Sequence, residues 1–292
     1  MKSVYDMLDD QNKSSTPRLS KEEYVAKMKE KRAFLFDMAN KQVEVAVQSP
    51  TDYINYLSLQ GRLGYTVTNT LLIQAQMPYA TEVKDVTKWR EENVLVKNGG
   101  TGIQILEPGN TYTRRDGSSG TSYNPKYVFD ITQVEKQPVN KVVNYRDVLS
   151  AVIYKQDIKP EVVEYGSTLP RPVYYDATSD KIYVQKEQDQ NDMIAGLIHE
   201  YCYIQMKDQF SNRNEAEFTV ASVSLMLCER YGIQTKDTNF IQDVTSHFAG
   251  MDAQTIKGEL NNMKKVFDQM NSQMEHGLYM KQKSNNQNKG YR

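Results

Sequence analysis

A chain of 292 residues with 39% hydrophobic and 25% charged positions has the make-up of a soluble globular protein of about two domains. It holds no apolar run long enough to cross a bilayer, so no membrane partner is expected. Two cysteines, Cys202 and Cys228, make no disulfide framework, and residues Met1 to Asp6 have no apolar signal core; a cytoplasmic setting is expected.

The net charge of −1 conceals an asymmetry. Residues 20–155 carry 18 Lys and Arg against 15 Asp and Glu, residues 156–245 carry 8 against 15, and residues 246–292 carry 7 against 4. A mildly basic first half permits a polyanionic partner without requiring one.

The elements expected in chain order give an α+β protein. Residues 1–19 are polar and read as a flexible leader. Ser20, with Glu23 three residues on, signals a capping box and a helix over 20–47. A second helix is expected over 51–63, and a third from a Thr66 cap to Met77, stopped by Pro78. A short helix from Asp85 to Glu92 carries Trp89. Strands are expected at Val94–Lys97, Ile103–Leu106 and Tyr127–Ile131, with a polar loop over Asn110–Thr121. The apolar pattern thins over 134–160, a domain boundary. A helix follows over Tyr145–Tyr154, then a hairpin of Pro172–Tyr175 and Lys181–Gln185. Two helices come next, Gln190–Asp208 and Asn214–Tyr231, the latter ended by Gly232. A last helix over 253–275 places Ile256, Leu260, Met263, Phe267, Met270 and Met274 in one stripe, which either packs on its own domain or binds a partner. From Lys281 the chain is Asn-, Gln- and Lys-rich and is expected to be disordered.

Two segments carry chemistry. A single-strand nucleic-acid site needs cations along the backbone track and flat rings to stack bases. The first half supplies Tyr112, Tyr123, Tyr127 and Trp89 among Lys84, Lys88, Lys97, Arg114, Arg115 and Lys126. With 20 tyrosines in the chain, ordinary packing accounts for such rings equally well. In the second half, His199-Glu200-Tyr201-Cys202-Tyr203 departs by one residue from H-E-x-x-H, which sets two zinc-binding histidines on one helix face around a general-base Glu. Tyr203 stands where the second histidine belongs. His247 and His276 have no metal-like neighbours.

The run Tyr65 to Thr81 (YTVTNTLLIQAQMPYAT), Trp89, the segment Lys97 to Leu106 (KNGGTGIQIL) and the segment Tyr123 to Gln133 (YNPKYVFDITQ) resemble, in order, the N-terminal domain of ArdC-type antirestriction proteins. That resemblance spans roughly residues 50–135. It implies single-stranded DNA binding with little base readout, by a protein of a plasmid, phage or conjugative element. Expected contact residues are Tyr65, Asn69, Trp89, Lys97, Tyr112, Arg114, Arg115, Tyr123 and Lys126.

The second half is similar to the zincin-like peptidase domain of LtrC-like mobile-element proteins, through the hairpin, Leu197-Ile198-His199-Glu200, Glu217-Phe218-Thr219-Val220-Ala221 and Tyr231-Gly232-Ile233. By that resemblance the third zinc ligand, a Glu, falls at Ala221. With Tyr203 and Ala221 at two ligand positions, His199 and Glu200 are vestigial. No catalytic residue, no metal and no cofactor are expected, and Tyr203 is expected to hydrogen-bond Glu200 or His199.

The implied organisation is a leader (1–19), an ArdC-like single-stranded DNA-binding domain of helices and a small antiparallel sheet (20–140), a degenerate zincin-like hairpin-plus-helices domain (141–250), a helix (251–280) and a tail (281–292). The implied function is a sequence-tolerant DNA-binding accessory protein that protects incoming DNA from host restriction. Two alternatives stay open: a metallopeptidase whose zinc is held by His199 and Cys202, and a module that binds a host defence or conjugation protein.

Overall fold

A computed structural model describes residues 19–136, 143–235 and 238–289, so the expected leader lies almost wholly outside the described residues. Helix starts follow the caps. Ser20 and Glu23 exchange the two bonds of a capping box at the head of α1 (Lys21–Ala46). Ser49 caps α2 (Pro50–Leu63), which begins on a proline and ends at Gly64 in the left-handed region (φ 68°). Thr66 caps α3 (Val67–Gln76).

The first sheet orders β1 (Val83–Lys84), β3 (Ser119–Asp130) and β2 (Ile103–Thr113), all antiparallel, with α4 (Val86–Glu91) beside it. Two expectations need correction here. The polar stretch Asn110–Thr121 is mostly strand: β2 and β3 extend into a long hairpin, with Thr111 paired to Thr121 and Tyr112 to Gly120. Both faces of that extension are largely solvated, so no hydrophobic alternation marks it. Val94–Lys97 contributes only an isolated bridge, Val96 to Val134.

The second sheet orders β4 (Pro160–Val163), β6 (Lys181–Gln185) and β5 (Val173–Asp176); β4 runs parallel to β6, and β5 antiparallel. Around it lie α5 (Tyr145–Val152), α6 (Gln190–Met206), α7 (Arg213–Tyr231), α8 (Val244–His247) and α9 (Ala253–Lys289). The helix α9 runs past residue 280 to Lys289, beyond where the polar composition places its end. Its apolar stripe faces inward: Ile256, Leu260, Met263, Phe267, Met270 and Met274 are all buried, each worth roughly 1.5–3 kcal/mol. Among the described residues no helix is long and apolar enough to cross a membrane.

One large core runs through both halves. It includes Leu35 and Val43 of α1, Tyr53 and Leu57 of α2, Ile198 of α6, Val223 of α7 and Phe267 of α9. The helices α2 and α7 cross closely: a Cβ on Gly61 would lie 2.2 Å from the Met226 carbonyl oxygen. Two small satellite clusters sit under the first sheet; one is built on the fully buried Trp89.

Candidate functional site

The His-Glu pair sits at a crossing of α6, α7 and the second hairpin. Gly196 lets α6 approach β5 closely: a Cβ there would meet the Val173 side chain at 2.8 Å. One turn later Glu200, almost fully buried, accepts the Tyr175 amide of β5 at 3.0 Å. The helix thus clamps the strand through a carboxylate, and that carboxylate needs a cation.

Arg213, the first residue of α7, supplies it. Its guanidinium bonds Glu200 directly and packs over the rings of Tyr203 and Tyr174, at 4.4 and 4.8 Å from their centroids. Tyr203 therefore faces Arg213 rather than hydrogen-bonding Glu200 or His199 as the sequence suggests; Glu200 is already engaged by stronger, charge-assisted partners.

On the other side of His199 lies a second pair. His199 Nε2 is 3.3 Å from Glu217 Oε1 and 3.4 Å from Arg171 Nη1, while Arg171 Nη2 donates to Glu217 at 2.8 Å. His199 Nδ1 stands 3.3 Å from Glu200 Oε1. Burial by itself would depress the His199 pKa, but hydrogen bonds to Glu200 and Glu217 outweigh it and hold it above the ordinary value. Burial likewise pushes Glu217 up; His199 and then Arg171 overcome it and bring its carboxyl down to about 2.

Arg171, His199 and Glu200 border a cleft of about 360 Å³, lined also by Val173, Gly196, Ala221, Ser224 and Leu225. A zinc centre does not fit them. A catalytic zinc needs about three protein ligands. Here Ala221 offers none, Tyr203 is stacked on a guanidinium, and Glu217 is held by Arg171. Cys202 points the other way, fully buried with Sγ 3.3 Å from Met270 Sδ, and burial lifts its pKa far above that of a free thiol. Among the described residues no cluster of three His, Cys, Asp or Glu side chains is placed to hold a metal.

The residues expected to touch DNA do not share one site. Tyr112 and Tyr123 come together in a groove of about 530 Å³ between the β2–β3 hairpin and α1, with Lys29, Arg32 and Phe36 as the opposite wall. Phe36 meets Tyr123 edge-on at 5.8 Å, Arg32 Nη1 donates to the Tyr123 carbonyl at 3.4 Å, and Lys31 lies over Tyr127 at 4.7 Å. Arg114 and Arg115 are exposed at the hairpin's tip, where Arg114 also bonds the Ser119 carbonyl at 3.0 Å.

Tyr65, Asn69 and Lys126 line a separate recess. Half-buried Tyr65 donates to the Val83 carbonyl at 3.2 Å, and Lys126 is paired with Asp85 at 2.9 Å and Glu107 at 2.6 Å. Asn69 is buried, and its amide exchanges two 2.9 Å bonds with the Leu106 backbone. Lys97, exposed, donates to the Thr132 carbonyl at 2.9 Å. Trp89 has no exposed surface, and Lys84 and Lys136 lie 4.6 and 5.4 Å from its ring, so no base can stack on it in this fold.

Sequence reasoning missed the partners that matter most. Arg171 and Arg213 lie 28 and 13 residues from the histidine and glutamate they meet. One signal was present: a cation at the first position of a helix opposes the helix dipole, so Arg213 needed another reason to be there. On α1, the cluster Lys29, Lys31, Arg32 and Phe36 carried the same mix of charge and ring as the hairpin.

No protein-family model matches the sequence, and no curated protein matches it. Among solved structures, the metal-free antirestriction protein ArdC from plasmid R388 matches with a TM-score of 0.54 and 16% identity, covering 82% of this chain and 99% of that one. The Mn(II)-bound structure of the same ArdC matches with a TM-score of 0.54 and 17% identity, over 82% and 98%. The chain is thus an α+β protein built on the fold of the ArdC antirestriction protein.

Proposed function

We propose that this protein binds single-stranded DNA with little sequence preference, as an accessory protein of a plasmid, phage or conjugative element in the cytoplasm. The observation that carries the reading is the groove between α1 and the β2–β3 hairpin. Rings with exposed faces (Tyr112 51% and Tyr123 37% exposed, with Phe36 at 38%) stand there beside Lys29 and Arg32. Stacking on such rings is tolerant of base identity, and the cations track the phosphates. The ArdC fold supports a role in shielding incoming strands from restriction nucleases. In this reading the His199 cleft is a scaffold rather than a peptidase centre, because its carboxylates are committed to arginines.

Fluorescence anisotropy with labelled oligonucleotides tests it. Binding is expected to be tighter for single strands than for duplex and to fall linearly on a log–log plot against salt. No binding at low salt ends the proposal.

A further inference from the structure

The vestigial histidine is not simply stranded. We infer that the Arg171 guanidinium occupies the position that a metal ion would take between His199 and Glu217, and that with Arg213 it replaces a divalent cation by two fixed monovalent ones.

The geometry carries this in three steps. First, two ligands of a tetrahedral zinc at about 2.1 Å stand roughly 3.4 Å apart; His199 Nε2 and Glu217 Oε1 are 3.3 Å apart. The pair, in direct contact with each other, stands at a spacing that two ligands of one ion also have. Second, what approaches both of them is a cation: Arg171 Nη1 lies 3.4 Å from the imidazole and Nη2 2.8 Å from the carboxylate. Third, two carboxylates, Glu200 and Glu217, face the crossing, one nearly fully buried and the other three-quarters covered; each has one guanidinium bonded to it, and both also contact the His199 ring. Buried carboxylates must be paired or coordinated. A dication would do this in one place, and here Arg171 and Arg213 do it in two. The cleft is therefore closed to metal by its own side chains, and the Arg171–Glu217 pair ties the segment before β5 to α7.

Zinc affinity tests this directly. Tyr203→His restores the second ligand of the H-E-x-x-H spacing. With Arg171 in place, that variant is expected to bind zinc weakly. Combined with Arg171→Met, which keeps an unbranched stem and removes the charge, it is expected to bind one zinc per chain more tightly by roughly 10–100-fold, the scale of a changed outer-shell partner. Adding His199→Ala should abolish the gain. Metal content by mass spectrometry and competition with a chromophoric chelator give both readouts, and a cooperative melt verifies each fold. Stoichiometric zinc in the wild-type protein, equal affinity with and without Arg171, or no zinc site in the folded double variant would each overturn the inference. Should the double variant not fold, the single Arg171→Met protein decides: a gain in zinc affinity over wild type supports the replacement, and no gain refutes it.

Discussion

The Tyr53 hydroxyl lies 2.9 Å from the Ser222 hydroxyl, fully buried, joining positions 169 residues apart where α2 crosses α7. Tyr53 also stacks on Phe218 at 5.4 Å, and Ser222 donates onward to the Phe218 carbonyl at 2.8 Å. The first half of the chain is thus fastened to the second through the core. Tyr53→Phe should cost about 1 kcal/mol, since Ser222 keeps its other partner. Gly61→Ala, on the same crossing, should cost about 1–3 kcal/mol or more, because the added methyl meets backbone rather than a side chain that can turn aside. Chemical denaturation followed by far-UV circular dichroism should show one transition in the wild type; two separated transitions would mean the halves fold independently.

Within the groove, Tyr112→Ala and Tyr123→Ala should each weaken single-stranded DNA binding by about 1–3 kcal/mol, the range for removal of a stacking ring. Arg32→Ala and Arg115→Gln should lower affinity for all sequences alike and reduce the magnitude of the salt slope by about 1 for each phosphate no longer neutralised. Anisotropy titrations at several salt concentrations separate these effects. Unchanged affinity in all four variants places the interface elsewhere.

Asn69 makes a contrasting case. Its amide pairs with both backbone groups of Leu106, as a neighbouring strand would. Asn69→Ala should therefore lower stability by about 1–3 kcal/mol for the buried groups left unpaired. DNA affinity of the folded fraction should stay near the wild-type value. A loss of affinity with unaltered melting would assign Asn69 to the interface instead.

Stability should depend on pH from both sides of the His199 crossing. Glu217 titrates near 2 when folded against an ordinary 4.5, so its contribution is full above 4.5 and fades as pH falls toward 2. His199 is raised above its ordinary 6.5, so its contribution is full below 6.5 and is lost as pH rises through the elevated folded value. Glu200, Glu217, Arg171 and Arg213 are the charged groups around the ring. Melting temperature should peak between these limits, and His199→Gln should flatten the alkaline side. An alkaline decline that survives His199→Gln would point to another group.

How much of this was legible in the sequence follows from which forces are local. Ser20, Thr66 and Gly232 announce helix ends because a cap is satisfied within a few residues. The second hairpin was equally plain. The outer half of the β2–β3 hairpin was not, because strands wet on both faces carry no period-two pattern and Asn110, Gly117, Ser118 and Ser119 look like loop. The departure of Tyr203 and Ala221 from the zincin pattern was visible, but the pairing of Arg171 with Glu217 was not, since nothing local ties them across 46 residues. Trp89 misled for a related reason: an aromatic among lysines fits a base-stacking platform and a cation–π core equally well until its exposure is known.

That buried indole has an optical consequence. It is the chain's single tryptophan, enclosed by Val94, Ile131 and Val134, with Nε1–H donating to the Phe129 carbonyl at 3.0 Å. Light absorbed above the tyrosine band excites this ring alone, so emission reports on one corner of the first sheet. Its spectrum should be blue-shifted in the native protein, red-shifted on denaturation, and indifferent to anything bound between α1 and the hairpin.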